Sequence, residues 1–417
     1  MRNVMKAATL ESKFPILAVE HDCIISKDAD ITVAYKVELP ELFTVTRNEY
    51  EAIHSAWAKA VKVLPNYSIV HRQDWFIEEN YTPDIQRDDL SFLSRSFERH
   101  FNERPYLRHT SYLFLTKTTK ERSRTQSNFT ALTRNFIIPK EMQDKDTVTR
   151  FLESCDQFER IINDSGFVRI TRMRKDEITG TENSAGIIEK YFSLSQEETT
   201  CLQDLTLGAA EMKVGDNCLC LHTLSDTDDL PGKVATDMRY ERLSTDRSDC
   251  RLSFAAPIGV LLTCNHIVNQ YLFIDDPAEN LKKFEKQARN MHSLSRYSRS
   301  NQINREWIEE YLNEAHSLGL TSIRAHCNVL AWSDDRNRLK QIKNDVGSQL
   351  ALMECKPRHN TVDTPTLFWA AIPGNAGDFP FEESYYTFIE QALCFFIGES
   401  CSRDSLSPFG IRMVDRL

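Results

Sequence analysis

Residues 31–77 read ITVAYKVELPELFTVTRNEYEAIHSAWAKAVKVLPNYSIVHRQDWFI, and the apolar period changes twice within them. From Ile31 to Leu39 apolar and polar residues alternate, which puts Ile31, Val33, Tyr35, Val37 and Leu39 on one face of a strand. Thr46 then opens a helix, with Glu49 three residues on as its capping-box partner. Tyr50, Ile53, Trp57, Val61 and Leu64 recur at spacings of three and four, and Pro65 stops the helix. Tyr67 to Ile77 returns as a strand.

Working outward, Ile16 to Ile25 is a strand candidate, Leu90, Leu93, Phe97 and Phe101 mark a second helix, and Tyr106 to Thr118 is the next strand. The order β-β-α-β-α-β predicts an antiparallel sheet with helices on one face, a ferredoxin-like sandwich in the α+β class. The polar stretch Lys117 to Arg134 predicts an exposed loop and a boundary near residue 135. Beyond it, a second lobe (136–417) is expected to carry a mixed sheet. Thr147 to Asn163 reads as a helix with Val148, Phe151, Leu152, Cys155, Phe158 and Ile162 on one face. Short strands and turns fit 180–249, and Leu252 to Thr263 and Gln270 to Ile274 read as strands. Asp276-Pro277 starts a long helical hairpin over about 276–318. Its second helix is expected to turn Trp307, Ile308, Tyr311 and Leu312 inward and leave Glu309, Glu310 and Glu314 solvated. A strand (Thr321 to Trp332), a helix capped at Asp335, a strand (Ala351 to Cys355) and a short helix from Thr364-Pro365 complete the pattern.

The chain has 417 residues, 41% hydrophobic and 27% charged, enough to bury a sizeable core in two or more lobes. Its net charge of −10 excludes a global basic field for non-specific nucleic-acid binding. Eleven cysteines without framework spacing indicate free thiols and a reducing compartment. The first residues carry no secretory pattern. The apolar run Ala392 to Ile397 falls far short of the roughly 20 residues that span a bilayer.

No phosphate-binding loop is present: at Gly232-Lys233 the first glycine position is Thr227 and the hydroxyl position is Val234. Cys218, Cys220 and His222 alternate, so on a strand they share a face; a buried thiol face explains them without a zinc ion. The basic residues Arg289, Arg296, Arg299 and Arg305 form a candidate docking patch for phosphates or an acidic partner, or a solvated helix face. Arg169 to Lys175 is the second basic stretch. The acid pairs Asp88-Asp89, Asp228-Asp229 and Asp275-Asp276 would suit a magnesium-dependent hydrolase or nuclease, yet all sit where turns and helix caps want Asp.

Near the carboxy end, Leu330-Ala331-Trp332-Ser333-Asp334-Asp335 is followed about thirty residues later by Thr366-Leu367-Phe368-Trp369-Ala370-Ala371-Ile372-Pro373-Gly374-Asn375. This F-W-A-x-I-P-G-N run resembles the conjugation ATPases of the VirB/TrbE class of type IV secretion systems. The opening from Phe14 to Tyr81 looks more specifically like the TraG ATPases of Bacteroides conjugative transposons. The resemblance implies the amino-terminal, non-motor part of such a protein, with no catalytic, cofactor or metal residue of its own. ATP and magnesium belong to a motor domain expected after this region, and the tail from Gly410 to Leu417 looks like a strand cut short. It implies coupling of a hexamer-forming motor to inner-membrane channel subunits, at the cytoplasmic side of the membrane. Phe368, Trp369, Pro373, Gly374 and Asn375 are then candidates for contact with the motor domain. The alternatives are a stand-alone DNA-binding adaptor and a metal-dependent hydrolase.

Overall fold

The computed structural model describes residues 9–80, 91–102, 105–124, 139–197, 202–208, 211–294 and 299–401. The strands are β1 (Ile16–Glu20), β2 (Cys23–Ser26), β3 (Ile31–Glu38), β4 (Ser68–Asn80), β5 (Pro105–Lys117), β6 (Arg169–Arg172), β7 (Leu205–Leu207), β8 (Met212–Val214), β9 (Asn217–Leu224), β10 (Asp237–Arg239), β11 (Arg251–Ser253), β12 (His266–Ile274), β13 (Ser322–Ser333), β14 (Arg358–Asn360) and β15 (Tyr385–Phe388). The helices are α1 (Leu10–Lys13), α2 (Arg47–Lys62), α3 (Phe92–Phe101), α4 (Lys145–Asp164), α5 (Lys175–Thr179), α6 (Ile187–Ser193), α7 (Pro277–Leu294), α8 (Arg299–Leu318), α9 (Arg336–Leu352), α10 (Thr364–Ala370) and α11 (Ile389–Leu393).

The class is α+β, built on one large antiparallel sheet. Its strands run in the order β1-β2-β3-β5-β4-β12-β13-β9-β8-β7, with β6, β14 and β15 pairing to the side. The opening is a tight hairpin whose turn residues His21 and Asp22 both take positive φ (53° and 58°), the geometry that matches strand twist. β3, α2 and β4 form a βαβ crossover with β5 inserted between its two strands. The capping box of Thr46 and Glu49 is present, and Tyr50, Ile53, Trp57, Val61 and Leu64 are all buried.

The boundary expected near 135 does not divide the sheet. β4 pairs with β12 from Ser68↔Ile274 to Phe76↔His266, so the first half of the chain and the second share one set of central strands. Where a mixed sheet was expected, every strand ladder among the described residues is antiparallel. β12 and β13 are buried along their whole length, because helices cover both faces. On one face lie α5, α6 and α10, around Trp75, Tyr191, Tyr271, Trp332, Phe368 and Trp369. On the other, α2, α4 and α11 pack over one end of the sheet and α9 over the other.

Four local readings are corrected. The strand expected from Ala351 to Cys355 does not form: α9 runs on through Leu352, with Leu339, Ile342, Val346 and Leu350 buried at the helical period, and a turn at Met353 and Glu354 follows. Of the strand expected over Leu252 to Thr263, only β11 forms, paired with β10; Pro257 and Gly259 turn the rest. A helix, α6, lies within 180–249, where only strands and turns were read. Trp307 points out of the hairpin at 60% exposure, because α8 packs chiefly on α7 and no third layer among the described residues lies over its outer face. The hairpin itself forms over the expected span.

Candidate functional site

The middle of β4 is a run of four polar residues, His71-Arg72-Gln73-Asp74, and all four are fully buried. Strand alternation sends His71 and Gln73 to one face and Arg72 and Asp74 to the other. Each pair grips a different carboxy-terminal segment.

On the first face the polar side chains run across three strands. Gln73, Asn269 and Asn328 are in register on β4, β12 and β13, and so are His71, Tyr271 and His326. Gln73 Nε2 donates to Asn269 Oδ1 (2.9 Å), and Asn269 Nδ2 donates to Asn328 Oδ1 (2.9 Å). Asn328 Nδ2 meets His326 Nε2 (2.9 Å), while His326 Nδ1 lies 2.6 Å from the Glu383 carbonyl. A carbonyl only accepts, so Nδ1–H donates and Nε2 accepts: His326 is neutral. Burial pushes its pKa down to about 3, and that of His71 likewise to about 3. Gln73 Nε2 also donates to the Ala371 carbonyl (2.6 Å) and so fixes the end of α10.

On the second face Arg72 and Asp74 form an ion pair with no solvent access (3.0 Å). The Arg72 guanidinium also donates to the Ile397 carbonyl (2.6 Å) and lies over the rings of Phe396 (5.1 Å) and Trp57 (5.7 Å). Gln270, in register with Arg72, donates to the carbonyl of Phe395. Burial would raise the Asp74 carboxyl, but Arg72, then His109 and Ser111, outweigh it and hold the pKa below the usual value. His109 Nε2 lies 3.1 Å from Asp74 and its Nδ1 lies 3.1 Å from Ser400 Oγ. This is the order of a hydrolytic triad. Here Ser400 is buried, and its backbone is bonded to Pro40 and Leu42, so the chain of contacts holds the segment in place. Glu399 is buried as well, accepting from Tyr50 Oη (3.1 Å) and from Ser253 N and Oγ. Burial pushes its pKa up to about 7; the bonds from Ser253 and Tyr50 and the charge of Arg72 offset only part of that.

The F-W-A-x-I-P-G-N segment is turned inward. Phe368, Trp369 and Asn375 are at most 2% exposed, and Pro373 and Gly374 are buried too. Tyr191 Oη donates to the Phe368 carbonyl (2.8 Å), and Asn375 Nδ2 donates to the Trp369 carbonyl (2.9 Å). Gly374 has φ 89° and faces the amino-terminal hairpin so closely that a Cβ would lie 2.5 Å from Ile24 Cγ2. These five residues are core of this chain, so an exposed contact with another domain is not what they form. Beside them, the buried Arg122 pairs with Asp28 (2.6 Å) and Asp30 (2.8 Å). Burial opposes its charge, but Asp30, Asp28 and Asp378 together raise its pKa.

The remaining sequence candidates do not converge. Arg289 and Arg299 are exposed, Arg305 is bound to Glu309 (3.0 Å) and His292 (2.8 Å), and Arg296 lies outside the described residues. Glu306, Glu309 and Glu310 share the arm, which breaks any uninterrupted basic field. Asp276 caps α7, Asp275 pairs with Arg324 (2.6 Å), Asp229 pairs with Arg358 (3.0 Å), and Asp88-Asp89 lies outside the described residues. Gly232-Lys233 follows a 3-10 turn and leads to β10, not to a helix. Cys218, Cys220 and His222 are buried on β9, and burial raises the Cys220 pKa to about 11 and lowers that of His222 to about 4. Among the described residues no group of three or more His, Cys, Asp or Glu could hold a metal ion, and no helix is long and apolar enough to cross a membrane. The β4 network was missed in the sequence, although four consecutive polar residues inside a strand read as buried were its visible signal.

A family model described as a domain of unknown function, B. theta gene description (DUF3875), matches residues 3–55. The described part of that stretch supplies β1, β2, β3 and the first half of α2. No curated protein matches the chain.

Proposed function

We propose that this chain is the amino-terminal, non-motor part of a conjugation ATPase of the type IV secretion class, and that it couples the motor to inner-membrane channel subunits during DNA transfer. One observation carries the reading. The two stretches that bear the resemblance, Phe14 to Tyr81 and Thr366 to Asn375, lie far apart in sequence yet pack as one unit: Gly374 on Ile24 and Ile16, and the Ala371 carbonyl on Gln73. The family model over residues 3–55 falls largely within the first of these stretches.

In the conjugation ATPases the motor follows the F-W-A-x-I-P-G-N segment. A chain continuing beyond Ser400 would be tied through Ile397 and Phe395 to Arg72 and Gln270 on two adjacent central strands. Force on that exit would then load the whole sheet instead of peeling one edge. ATP and magnesium would be bound by the motor, and peripheral attachment to the inner membrane would come from partner subunits. The test is a mating assay with a donor from which this gene has been deleted. The expected result is loss of element transfer, restored by the wild-type gene; transfer at the wild-type frequency without it overturns the proposal.

A further inference from the structure

The arm of α7 and α8 leaves the body as a bare pair of helices. Its base is fixed by aromatic contacts: Phe284 lies 5.1 Å from Tyr311 and 5.0 Å from Tyr386, and Tyr311 stacks on Phe388 at 4.4 Å. Farther out, none of the described arm residues from 281 to 310 is buried. Two of its faces are unmatched. On α8, Ile303, Trp307, Glu310, Glu314 and Leu318 fall within about 80° of one another at roughly 100° per residue. Ile303, Trp307 and Leu318 are 38%, 60% and 68% exposed. The other four tryptophans, Trp57, Trp75, Trp332 and Trp369, are at 3% or less, so Trp307 stands apart. On α7, Lys282, Lys286 and Arg289 follow the i, i+4, i+7 spacing and are exposed. None of these three, nor Glu310 or Glu314, has an ionic partner among the described residues; Glu306 is bonded to Gln302.

The two faces complement each other. Lys282 to Arg289 spans about 10 Å of helix and Glu306 to Glu314 about 12 Å, so one charged row can lie along the other. They do not meet within a single arm, where Lys282, Lys286, Arg289, Glu306 and Glu310 are exposed and Glu314 is half-buried. A two-fold axis brings them together twice over, because each copy offers both rows. We infer that the arms of two copies of this chain pair two-fold into a four-helix bundle. Lys282, Lys286 and Arg289 of one copy face Glu306, Glu310 and Glu314 of the other, with Ile303 and Trp307 inside. An aromatic side chain of this size removes some 150–250 Å² from water on burial, which supplies the apolar centre that a bare helix pair lacks.

This inference does not depend on the proposed function. Light scattering on the eluting full chain is expected to give the mass of two chains. Acrylamide quenching of tryptophan fluorescence should fall as protein concentration rises, since only Trp307 is accessible in the single copy. Trp307→Glu is expected to give the one-chain mass with an unchanged circular dichroism spectrum. The triple reversal K282E/K286E/R289E and the triple reversal E306K/E310K/E314K should each elute as one chain, and their equimolar mixture as two. A wild-type chain that stays at the one-chain mass at its highest soluble concentration overturns the inference, and so does a two-chain species that survives Trp307→Glu.

Discussion

Replacing Arg72 by Met is the sharpest test of the β4 network. The side chain keeps most of its length and its packing on Trp57 and Phe396, but Asp74, with no solvent access, loses its guanidinium and keeps only His109 and Ser111. Breaking a buried pair from one side costs about 3–5 kcal/mol. The Ile397 carbonyl also loses its donor, a penalty of roughly 1–3 kcal/mol that overlaps with the first. Against a typical total of about 5–15 kcal/mol, the loss is about a fifth of the stability or more. Urea unfolding followed by tryptophan fluorescence measures it.

The decisive comparison is the cycle with Asp74→Leu. Each single change strands a buried charge, whereas Arg72→Met with Asp74→Leu strands none. The double variant should therefore be far less destabilised than the sum of the singles, with a coupling of about 2–3 kcal/mol. The pH dependence has a definite sign. In the wild type the Asp74 pKa is depressed, so its contribution is present above the unfolded value and is lost as pH falls. Without Arg72 the largest lowering influence is gone and the carboxyl rises relative to the wild type, so the deficit of Arg72→Met grows as pH rises and shrinks in acid. A single-variant cost under about 1 kcal/mol, or additive singles, refutes the account of the pair.

Glu399, with its pKa raised to about 7, costs the folded state increasingly as pH climbs from the unfolded carboxylate range toward 7; Glu399→Gln should flatten that slope and raise the melting temperature most above neutrality. Gly374→Ala meets both a positive φ and Ile24, and should lose about 2 kcal/mol or more in the same urea assay, while an equal loss for Gly232→Ala, where a Cβ meets nothing, would contradict the steric reading. Eight described thiols, those of Cys23, Cys155, Cys218, Cys220, Cys264, Cys327, Cys355 and Cys394, are buried; a thiol reagent should leave them unmodified until denaturant is added, with Cys250 and Cys401 reacting first among the described cysteines.

The amino-terminal elements were legible because local chemistry and burial agree there. The alternation of Val33, Tyr35 and Val37 and the stripe Tyr50, Ile53, Trp57 and Val61 each point one face at one core. The signal faded where a segment is buried on all sides. β12 shows no period because both its faces are covered, and although β13 alternates from Ile323 to Val329, its polar positions are buried too, so periodicity says little about neighbours. Nothing local announces that β4 pairs with β12, which joins the two halves into one sheet. Trp307 failed in the opposite sense, since helical spacing identifies an apolar stripe without telling what covers it. The network resisted reading because its partners are backbone carbonyls of residues 371, 395 and 397, which carry no residue-type signature.

A polar centre in a sheet covered on both faces is not the most stable arrangement. Apolar residues of equal volume in place of a buried ion pair are often neutral or stabilising by about 1–4 kcal/mol. What they cannot do is choose which carbonyl lies opposite which strand residue. Gln270 and Arg72 hold the carbonyls of Phe395 and Ile397, two residues apart on the exit segment, and they do so from adjacent strands at the same register position. An apolar pair at Arg72 and Asp74 would leave the Ile397 carbonyl unheld, and the placement of the segment would rest on Gln270 and on the contacts of Glu399 and Ser400. The double variant Arg72→Met with Asp74→Leu therefore separates stability from placement. Under the coupling proposal it folds, resists protease over the sheet, and still fails to support transfer in the mating assay, because load on the exit segment lets it slide. Wild-type transfer by that folded variant would show that the network fixes the fold and carries no coupling.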